Sequence, residues 1–373
     1  MIDIPRLNEL SLSIEGICRP VEILRAAAPV NALEQKEKFL RAWRKGKAYH
    51  PKFSYIDFPG EWVRMLDAFL ENLVTDDSIL ENALKKDVES TLRLAVAISE
   101  NNPELITLAT KERYGVPRDI DVERALEDLG LLIGADQIER NIPADVVAMH
   151  LRNTLEQLGL SAWEVILEDV MSARVSVRAP AERIMVRSDA LFSKDEVTRL
   201  IYHEIGTHVF RYLNGASQPI HLMRIGFGDY LATEEGLANY HEVKFGVQLP
   251  SDRRRYAIRL LAAYYSLEHG FFEIFKKIVP HTCPDEAFDI VARVKRGIID
   301  TSMPGGYLKD HVYHSGFLKI TDYLKTRPDG YDILMSGKIS LTFVDVFTKL
   351  KCEGVLGEVR YLPSMIECDL SVG

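Results

Sequence analysis

The feature that most constrains the fold of this chain is a six-residue run, HEIGTH, which begins at His203 and ends at His208. The apolar spacing around it predicts a helix, and on a regular helix residues five apart project about 140° from each other. Both imidazoles can face one ligand only if the helix accommodates one extra residue, as a π-bulge does. Gly206 lies in this stretch, and a residue without a Cβ eases such a distortion. The sequence therefore predicts a π-bulge within 203–208, which regular i→i−4 hydrogen bonding would contradict.

The residue types in and after this run are those of a zinc site. Imidazole nitrogens and carboxylates suit Zn²⁺, and three protein ligands leave the fourth position to water. We predict that His203, His208 and the later Glu235 bind one Zn²⁺ per chain. Glu204 would then take a proton from the water, whose pKa the metal lowers to about 7. The alternative is a pair of unrelated histidines on an amphipathic helix.

The segments that precede the motif predict two strands and a helix start. Residues 173–178 and 183–187 alternate polar and apolar side chains, which favours a hairpin. Ser193 and Glu196 have the spacing of a capping box, and helical periodicity then continues to Asn214 and Gly215. An edge strand beside a ligand-carrying helix is the organisation of zinc peptidases, in which the edge binds an extended substrate.

Together with the segment EEGLA at 234–238, this run resembles the QEGLA-motif family. That family includes the microtubule-associated tyrosine carboxypeptidases and many uncharacterised bacterial proteins. The resemblance implies a zincin-like core and a glutamate ligand from a following helix. It favours Glu235 over Glu234, because the ligand glutamate of related zincins directly precedes the Gly-Leu-Ala run. The similarity spans about residues 170–330, but Glu234 stands where glutamine is usual and Leu308 where a small hydroxyl residue is expected.

Four further residues are candidates for binding the substrate. Tyr307, Lys309 and Tyr313 follow a Pro-Gly-Gly turn within a block that matches the family. A peptidase needs a donor for the oxyanion and a cation for a free carboxylate, and these residue types supply both. Arg224 is a second candidate cation, because a guanidinium can bind a terminal carboxylate through two parallel hydrogen bonds. The alternative interpretation is a surface lysine, half-buried tyrosines and a surface arginine.

Other polar residues are less distinctive. Asp229, His241 and Glu242 are candidates for orienting the ligand imidazoles, and the spacing does not distinguish them. The basic clusters at 253–255 and at Arg293, Lys295 and Arg296 are interpreted as solvated helix faces.

The overall charge and composition limit the partners of the chain. A formal net charge of −9 argues against nucleic-acid binding and disfavours a strongly acidic polymer as substrate. No apolar run approaches a membrane span, and no secretory signal is visible, so we expect no membrane partner. Four cysteines without metal or redox spacing favour reduced thiols and a cytoplasmic location; these are Cys18, Cys283, Cys352 and Cys368.

The predicted fold class is α+β, predominantly helical, with a small antiparallel sheet. Residues 1–160 are expected to form a helical N-terminal region, and 161–373 a zincin-like catalytic domain. Helices are predicted over 19–42, 61–74, 77–100, 103–113, 143–158, 234–246, 252–278, 284–299, 310–325 and 341–351.

The function expected from the motif and the resemblance is that of a zinc-dependent carboxypeptidase, which removes a C-terminal, possibly aromatic, residue from a peptide or protein. Two alternatives stay open. One is a regulatory protein that binds metal without turnover. The other is a metal-dependent hydrolase of a non-peptide amide.

Overall fold

The computed structural model describes residues 2–18, 21–76, 78–131, 139–169, 171 and 173–367. The helices in the first half of the chain are α1 (Ile4–Cys18), α2 (Ile23–Ala26), α3 (Ala32–Arg44), α4 (Gly60–Asn72), α5 (Ile79–Ser99), α6 (Pro103–Tyr114), α7 (Asp119–Leu131) and α8 (Ala144–Gln157). Those in the second half are α9 (Lys194–Leu200), α10 (Phe210–Ala216), α11 (Leu222–Ile225), α12 (Tyr230–Lys244), α13 (Pro250–Ser266), α14 (Phe271–Ile278), α15 (Pro284–Val294), α16 (Val312–Thr326), α17 (Gly330–Met335) and α18 (Val344–Cys352). The strands are β1 (Ile142–Pro143), β2 (Glu164–Glu168), β3 (Val175–Arg178), β4 (Arg183–Arg187) and β5 (Leu191–Phe192). Mainly helical with a small sheet, the fold is α+β as predicted.

The chain forms two compact units, each built from two segments. Unit 1 comprises Met1–Ile133 and Arg254–Ser315, and unit 2 comprises Gly134–Arg253 and Gly316–Gly373. The domain boundary predicted between residues 160 and 161 does not coincide with a boundary between these units. As a functional division it stays a prediction.

Unit 1 has a core rich in aromatic side chains. Phe39 of α3 lies at its centre, with ring centroids 4.6 Å from Phe275, 5.1 Å from Phe271 and 5.4 Å from Phe288. All four rings are almost completely buried. Each such ring removes a large apolar area from water, which stabilises the packing of α3 on α14 and α15.

Unit 2 contains the sheet, whose strand order is β2-β4-β3. β3 and β4 pair antiparallel, so the predicted hairpin is confirmed. β2 was not predicted, and it pairs parallel with β4, so the sheet is mixed and the predicted antiparallel sheet was wrong in this part. Its sequence, EVILE, is too short and irregular to distinguish a strand from other apolar segments. A separate antiparallel pair joins β1 and β5.

The predicted start of the ligand-carrying helix is also confirmed. The side chain of Ser193 accepts a hydrogen bond from the backbone N–H of Glu196, and the Glu196 carboxylate accepts one from the N–H of Ser193. Arg140 and Arg174 also donate to this carboxylate. Although burial raises the pKa of Glu196, these donors outweigh it and lower that pKa to about 2. A charged, fully hydrogen-bonded cap therefore fixes where the helix begins.

Two glycines allow helices of unit 2 to approach closely. A Cβ on Gly236 of α12 would lie 2.3 Å from the backbone carbon of Gly316 in α16, and one on Gly316 would lie 2.1 Å from the carbonyl oxygen of Ala232. Neither contact is sterically possible, so α12 and α16 can pack in this way only with glycine at both positions. This packing positions the helix that carries Glu235.

Several predicted helix boundaries were wrong. The helix predicted over 19–42, whose first two residues lie outside the described part of the chain, is split into α2 and α3 around Pro29. Proline disfavours helical geometry at the residue before it, which explains the break. The helix predicted over 252–278 ends at Ser266 and restarts after Gly270, where a Cβ would lie 2.1 Å from the carbonyl oxygen of Ser302. Helices α1 and α7 were not predicted.

The interpretation of one basic cluster was wrong as well. Lys295 is completely buried and Arg296 is 6% exposed, so residues 293–296 are not a solvated face. Lys295 donates from Nζ to the carbonyl oxygens of His269, Met303 and Gly305. α15 ends at Val294, so Lys295 and Arg296 lie beyond the helix whose solvated face was assumed from the sequence.

Among the described residues, every helix falls short of the length and apolar character that crossing a membrane requires.

Candidate metal centre

The middle of the ligand-carrying helix is a π-helix, Ile201–Val209, between α9 and α10. In π-helical bonding the hydrogen bonds join residues five apart, so His203 and His208 lie on one face. Their ring centroids are 5.0 Å apart. The hydroxyl of Thr207 supports this geometry by donating to the carbonyl of Tyr202, 3.3 Å away. The predicted π-bulge is confirmed.

Gly206 also has a role in packing, while its predicted role in easing the distortion stays a prediction. Its φ is not in the left-handed region. A Cβ there would lie 3.1 Å from Cδ1 of Ile366 and 3.4 Å from Cβ of Pro363. The small residue therefore allows the segment at 363–366 to pack on the π-helix.

The two imidazoles and Glu235 converge on one point. Nε2 of His203 is 3.6 Å, and Nε2 of His208 is 3.8 Å, from Oε2 of Glu235. Ligand atoms around a tetrahedral Zn²⁺ lie about 3.4 Å from each other, given metal–ligand bonds of about 2.1 Å. The observed separations exceed this value by a few tenths of an ångström. Small side-chain rotations would thus bring the three atoms into the first coordination sphere of one ion.

Glu204 lies at the same point. One ligand atom from each of His203, Glu204 and His208 lies within 4.8 Å of the others. Two carboxylates therefore reach the imidazole pair. Oε2 of Glu235 lies within 3.8 Å of both Nε2 atoms. The assignment of Glu235 as ligand and of Glu204 as the proton acceptor stays a prediction.

A buried carboxylate orients the first imidazole. Nδ1 of His203 is 2.8 Å from Oε1 of Glu242, which also accepts a hydrogen bond of 2.7 Å from Arg199. Arg199 in turn forms an ion pair with Asp252 at 2.9 Å. Nδ1 of His203 is thereby engaged, and Nε2 faces Glu235. Glu235 and Glu242 are seven residues apart on α12, which places them about 20° apart on one face. That periodicity distinguishes Glu242 from the other two sequence candidates.

A second carboxylate, which the sequence analysis did not assign, orients the other imidazole. Nδ1 of His208 is 2.9 Å from Oε1 of Glu234. Arg211 donates to the same carboxylate, and Nζ of Lys338 lies 3.2 Å from it. Burial raises the pKa of Glu234, but Lys338, Arg211 and His208 outweigh it and hold that pKa well below its usual range. The residue that departs from the family name-motif is thus an ionised partner of a candidate ligand.

The charges at the centre favour a cation. Burial lowers the pKa of His203, but hydrogen bonds to Glu235 and Glu242 and the charge of Glu204 outweigh it and raise the pKa to about 10. A positive charge at this imidazole is therefore stabilised by the carboxylates around it. A divalent ion held by Nε2 would satisfy the same demand, and the donor set of two imidazoles and a carboxylate fits Zn²⁺.

The remaining candidates for orienting the imidazoles do not contact them. Asp229 accepts hydrogen bonds from the hydroxyl of Thr342. Nδ1 of His241 is 2.7 Å from the Thr207 hydroxyl, and its Nε2 is 2.9 Å from the Tyr331 hydroxyl. Since burial, together with the nearby cations, lowers the pKa of His241 well below its usual value, this histidine is neutral. It supports the π-helix through Thr207.

The structure gives each predicted substrate-binding residue a local environment. Arg224 lies over the ring of Tyr212, with Cζ 5.1 Å from the centroid. In unit 1, Tyr307 is buried with its hydroxyl 3.3 Å from that of Tyr114, and Tyr313 and Lys309 are half-buried. Their roles in binding substrate stay predictions. His314, which follows Tyr313 in the sequence, is a buried histidine paired with Asp128 at 2.9 Å.

Comparison with known proteins connects this geometry to one family. The family model described as microtubule-associated tyrosine carboxypeptidase matches residues 37–371. Microtubule-associated tyrosine carboxypeptidase 1 of Homo sapiens is 34% identical over 171 residues, which cover 43% of this chain and 34% of the relative. The putative tyrosine carboxypeptidase MATCAP2 of Homo sapiens is 36% identical over 151 residues, which cover 39% of this chain and 28% of the relative. The chain thus spans about a third of the length of the curated relatives it matches.

Proposed function

Because the chain belongs to the microtubule-associated tyrosine carboxypeptidase family, we propose that it is a zinc-dependent peptidase that removes the C-terminal residue of a peptide or protein. One observation carries this proposal. Nε2 of His203 and Nε2 of His208 each lie within 3.8 Å of Oε2 of Glu235, while a buried carboxylate engages Nδ1 of each histidine. Carboxylate–histidine pairs of this kind orient metal ligands and increase their basicity.

The chain supplies the residues for each part of the reaction. His203, His208 and Glu235 would hold the metal in a zincin-like core. When bound, zinc polarises a peptide carbonyl and lowers the pKa of a water at its open position. The Glu204 carboxylate accepts a proton from the attacking water and later donates it to the nitrogen of the leaving residue. Glu242 and Glu234 keep the two imidazoles in the tautomer that presents Nε2.

The substrate class follows from the family and from the sheet. Relatives are named tyrosine carboxypeptidases, which favours a free C-terminus with an aromatic last residue. β3 is an edge strand of the sheet and packs against the π-helix. An extended peptide adding to this edge by backbone hydrogen bonds would run beside the metal centre. Microtubule association is part of the relatives' names, and the net charge of −9 disfavours extending it to an acidic partner of this chain. The cytoplasmic location stays a prediction.

The test combines metal analysis with peptide cleavage. Purified full-length protein is analysed for zinc, then incubated with peptides that end in Tyr, Phe, Ala or Glu, as free acids and as C-terminal amides. We expect one zinc per chain and loss of the last residue from the free acids only. Glu204→Gln should retain zinc and reduce kcat by about 10²–10⁴-fold, since a general acid–base group contributes that much. Glu358→Gln, an exposed glutamate of the same unit, should leave both unchanged.

Each other outcome selects a different function. Internal cleavage would contradict the carboxypeptidase assignment while leaving the peptidase intact. Stoichiometric zinc without any cleavage would favour the regulatory metal-binding protein. Cleavage confined to non-peptide amides would favour the third reading. No zinc after metal addition would overturn the metal centre itself.

A further inference from the structure

A chain of hydrogen bonds that the peptidase mechanism does not use joins α17 to the π-helix through His241. Nδ1 of His241 lies 2.7 Å from the hydroxyl of Thr207, and its Nε2 lies 2.9 Å from the hydroxyl of Tyr331. His241 and Thr207 are completely buried, and Tyr331 is half-buried. Hydrogen bonds so well shielded from water hold their groups firmly, and leaving one unmade is costly.

Thr207 forms a bond that depends on the π-helical geometry. In an α-helix a threonine hydroxyl reaches the carbonyl three or four residues earlier. The hydroxyl of Thr207 instead donates to the carbonyl of Tyr202, five residues earlier, at 3.3 Å. Five residues is also the spacing of π-helical hydrogen bonds. This contact therefore belongs to the π-helix, and regular α-helical bonding would remove it.

The π-helix in turn determines where the two ligand histidines point. Thr207 lies between His203 and His208, whose ring centroids are 5.0 Å apart. In a regular α-helix the same two side chains would project about 140° apart, too far for one metal ion. Because π-helices are rare and short, this segment needs specific interactions that favour it over the α-helix. The bond from Thr207 to Tyr202 is such an interaction.

The hydroxyl of Thr207 also determines where the protons of the chain lie. Its single hydrogen is donated to the carbonyl of Tyr202, so its oxygen accepts from Nδ1 of His241. Neutral His241 therefore carries its proton on Nδ1, which makes Nε2 an acceptor. Burial raises the pKa of Tyr331, so its hydroxyl keeps its proton and donates to Nε2.

The ring of Tyr331 has a second contact with α12. Nζ of Lys244 lies 4.0 Å from the ring centroid, and Lys244 and His241 are three residues apart on one face of α12. The cation stabilises the position of the ring, and Nε2 of His241 that of the hydroxyl. Tyr331→Phe would therefore remove the hydroxyl alone and retain the contact with Lys244.

We propose that Tyr331 and His241 are positioning residues of the metal centre, which act through Thr207 by favouring the π-helix between the two ligand histidines. Without the hydroxyl of Tyr331, Nε2 has no donor, and His241 is free to carry its proton there. Nδ1 would then accept the hydrogen of Thr207, and the carbonyl of Tyr202 would lose it. This proposal rests on the proposed zinc site.

The test measures zinc affinity and stability in parallel on the full-length protein. Competition with a chromophoric chelator gives the Kd for zinc, and denaturant titration gives the free energy of unfolding without metal. The variants are Tyr331→Phe, Thr207→Val, Thr207→Ser and the double variant Tyr331→Phe/Thr207→Val. Tyr323→Phe is the control, because Tyr323 is a half-buried tyrosine of the same unit whose hydroxyl has no hydrogen-bond partner among the described residues.

We expect Tyr331→Phe and Thr207→Val each to weaken zinc binding at least about fivefold, the equivalent of one hydrogen bond. Thr207→Ser, which keeps the hydroxyl, and Tyr323→Phe should retain the wild-type affinity. Since Tyr331 acts through the Thr207 hydroxyl, adding Tyr331→Phe to Thr207→Val should cause no further loss of affinity. In the metal-free protein, ¹⁵N NMR of the imidazoles should show His241 with its proton on Nδ1, assigned by loss of its signals in His241→Gln.

Three results would overturn the proposal. An unchanged zinc affinity in Tyr331→Phe, with or without a fall in stability, would leave Tyr331 a role in folding alone. Additive losses in the double variant would show that Tyr331 does not act through Thr207. A wild-type His241 with its proton on Nε2 would reverse the direction of the chain. If Thr207→Val does not fold, Tyr331→Phe and the NMR measurement carry the test.

The same experiment separates this proposal from the proposed function. Wild-type protein that binds no zinc would overturn both. Wild-type protein that binds zinc, with the same affinity in Tyr331→Phe, would overturn the positioning role alone and leave the peptidase proposal intact.

Discussion

The two units of this chain each bury charged side chains, but these have different neighbours. At the candidate metal centre of unit 2, the carboxylates of Glu204, Glu234, Glu235 and Glu242 lie around the two imidazoles. In unit 1, the charges of Arg259, Arg293 and Arg296 act on the buried carboxylate of Asp310. Carboxylates around imidazoles suit a cation, whereas arginines around one carboxylate keep that carboxylate ionised.

The difference teaches how to interpret buried charge. Pairs that balance, such as Arg255 with Glu286, stabilise or merely tolerate burial and need no ligand. A buried charge without such a partner is costly, so the neighbours of each charged group decide its contribution. Five experiments break or sharpen this comparison.

The largest effect is expected from removing a ligand carboxylate. Glu235→Ala takes away the oxygen on which both Nε2 atoms converge. We expect zinc to be lost and peptide cleavage to fall below detection, because two imidazoles alone do not complete the coordination sphere. Elemental analysis and the peptide assay check this. Full zinc occupancy in Glu235→Ala would exclude Glu235 as a required ligand.

The next largest effect should come from removing the negative charge of Asp310, on which Arg259, Arg293 and Arg296 act. Asp310→Asn removes the carboxylate that Arg293 contacts and whose charge acts on Arg259 and Arg296. We expect a loss of about 3–5 kcal/mol in the free energy of unfolding, as for breaking a buried ion pair. Arg296→Met removes one of the three positive charges near Asp310. It should reduce the free energy of unfolding far less. Denaturant titration measures the free energy of unfolding of both variants. An equal loss in the two would contradict an excess of positive charge around Asp310.

The pH dependence of the stability of the metal-free protein tests the effect of the carboxylates around His203. The carboxylates raise the pKa of His203 to about 10, above its unfolded value of about 6.5. The stability contributed by its proton is therefore fully present below pH 6.5 and is lost as the pH rises towards 10. We expect the free energy of unfolding to fall by up to about 5 kcal/mol across this window. His203→Gln should remove the slope, and His150→Gln should retain it.

The two carboxylates that orient the imidazoles should have smaller effects. Glu242→Gln and Glu234→Gln keep the shape of each hydrogen bond and remove its charge. We expect each change to weaken zinc affinity about 10–100-fold, as is typical for partners of ligating histidines. Competition with a chromophoric chelator measures this. Asp229→Asn, a carboxylate of the same unit that does not contact the imidazoles, is the control and should leave the affinity unchanged.

The smallest effect should come from the balanced cap of the ligand-carrying helix. Ser193→Ala removes the side-chain acceptor for the N–H of Glu196. We expect a loss of about 1 kcal/mol in the free energy of unfolding, with zinc binding unchanged. The exposed Ser188→Ala provides the comparison. A large loss of zinc in Ser193→Ala would show that the cap controls the centre as well as the stability of the helix.

Local sequence patterns predicted much of unit 2 near the motif. The spacing of His203 and His208 required a π-bulge, and the structure has a π-helix there. The Ser193–Glu196 capping box and the hairpin at 173–187 were also confirmed. Each of these features depends on residues that are close in sequence, where backbone geometry limits the possible arrangements.

Features that depend on distant residues were missed. Glu234 was taken as a departure from a motif, although Arg211 and Lys338 make it a charged partner of His208. Gly236 of the EEGLA segment has no space for a Cβ because the backbone of Gly316, 80 residues later, packs against it. The parallel pairing of β2 with β4 was likewise not encoded in a local pattern.

By itself, the sequence determined which side chains are available at the centre and that one helix must distort to bring two of them together. These are consequences of residue type and helical period. The tertiary structure alone decided which charges are buried, and beside what. The local sequence around Lys295 and Arg296 does not show whether these side chains face water or a core. Packing against distant parts of the chain buries them. Since the cost of burying a charge depends on its complete surroundings, the partners of the buried charges in each unit became visible only in the fold.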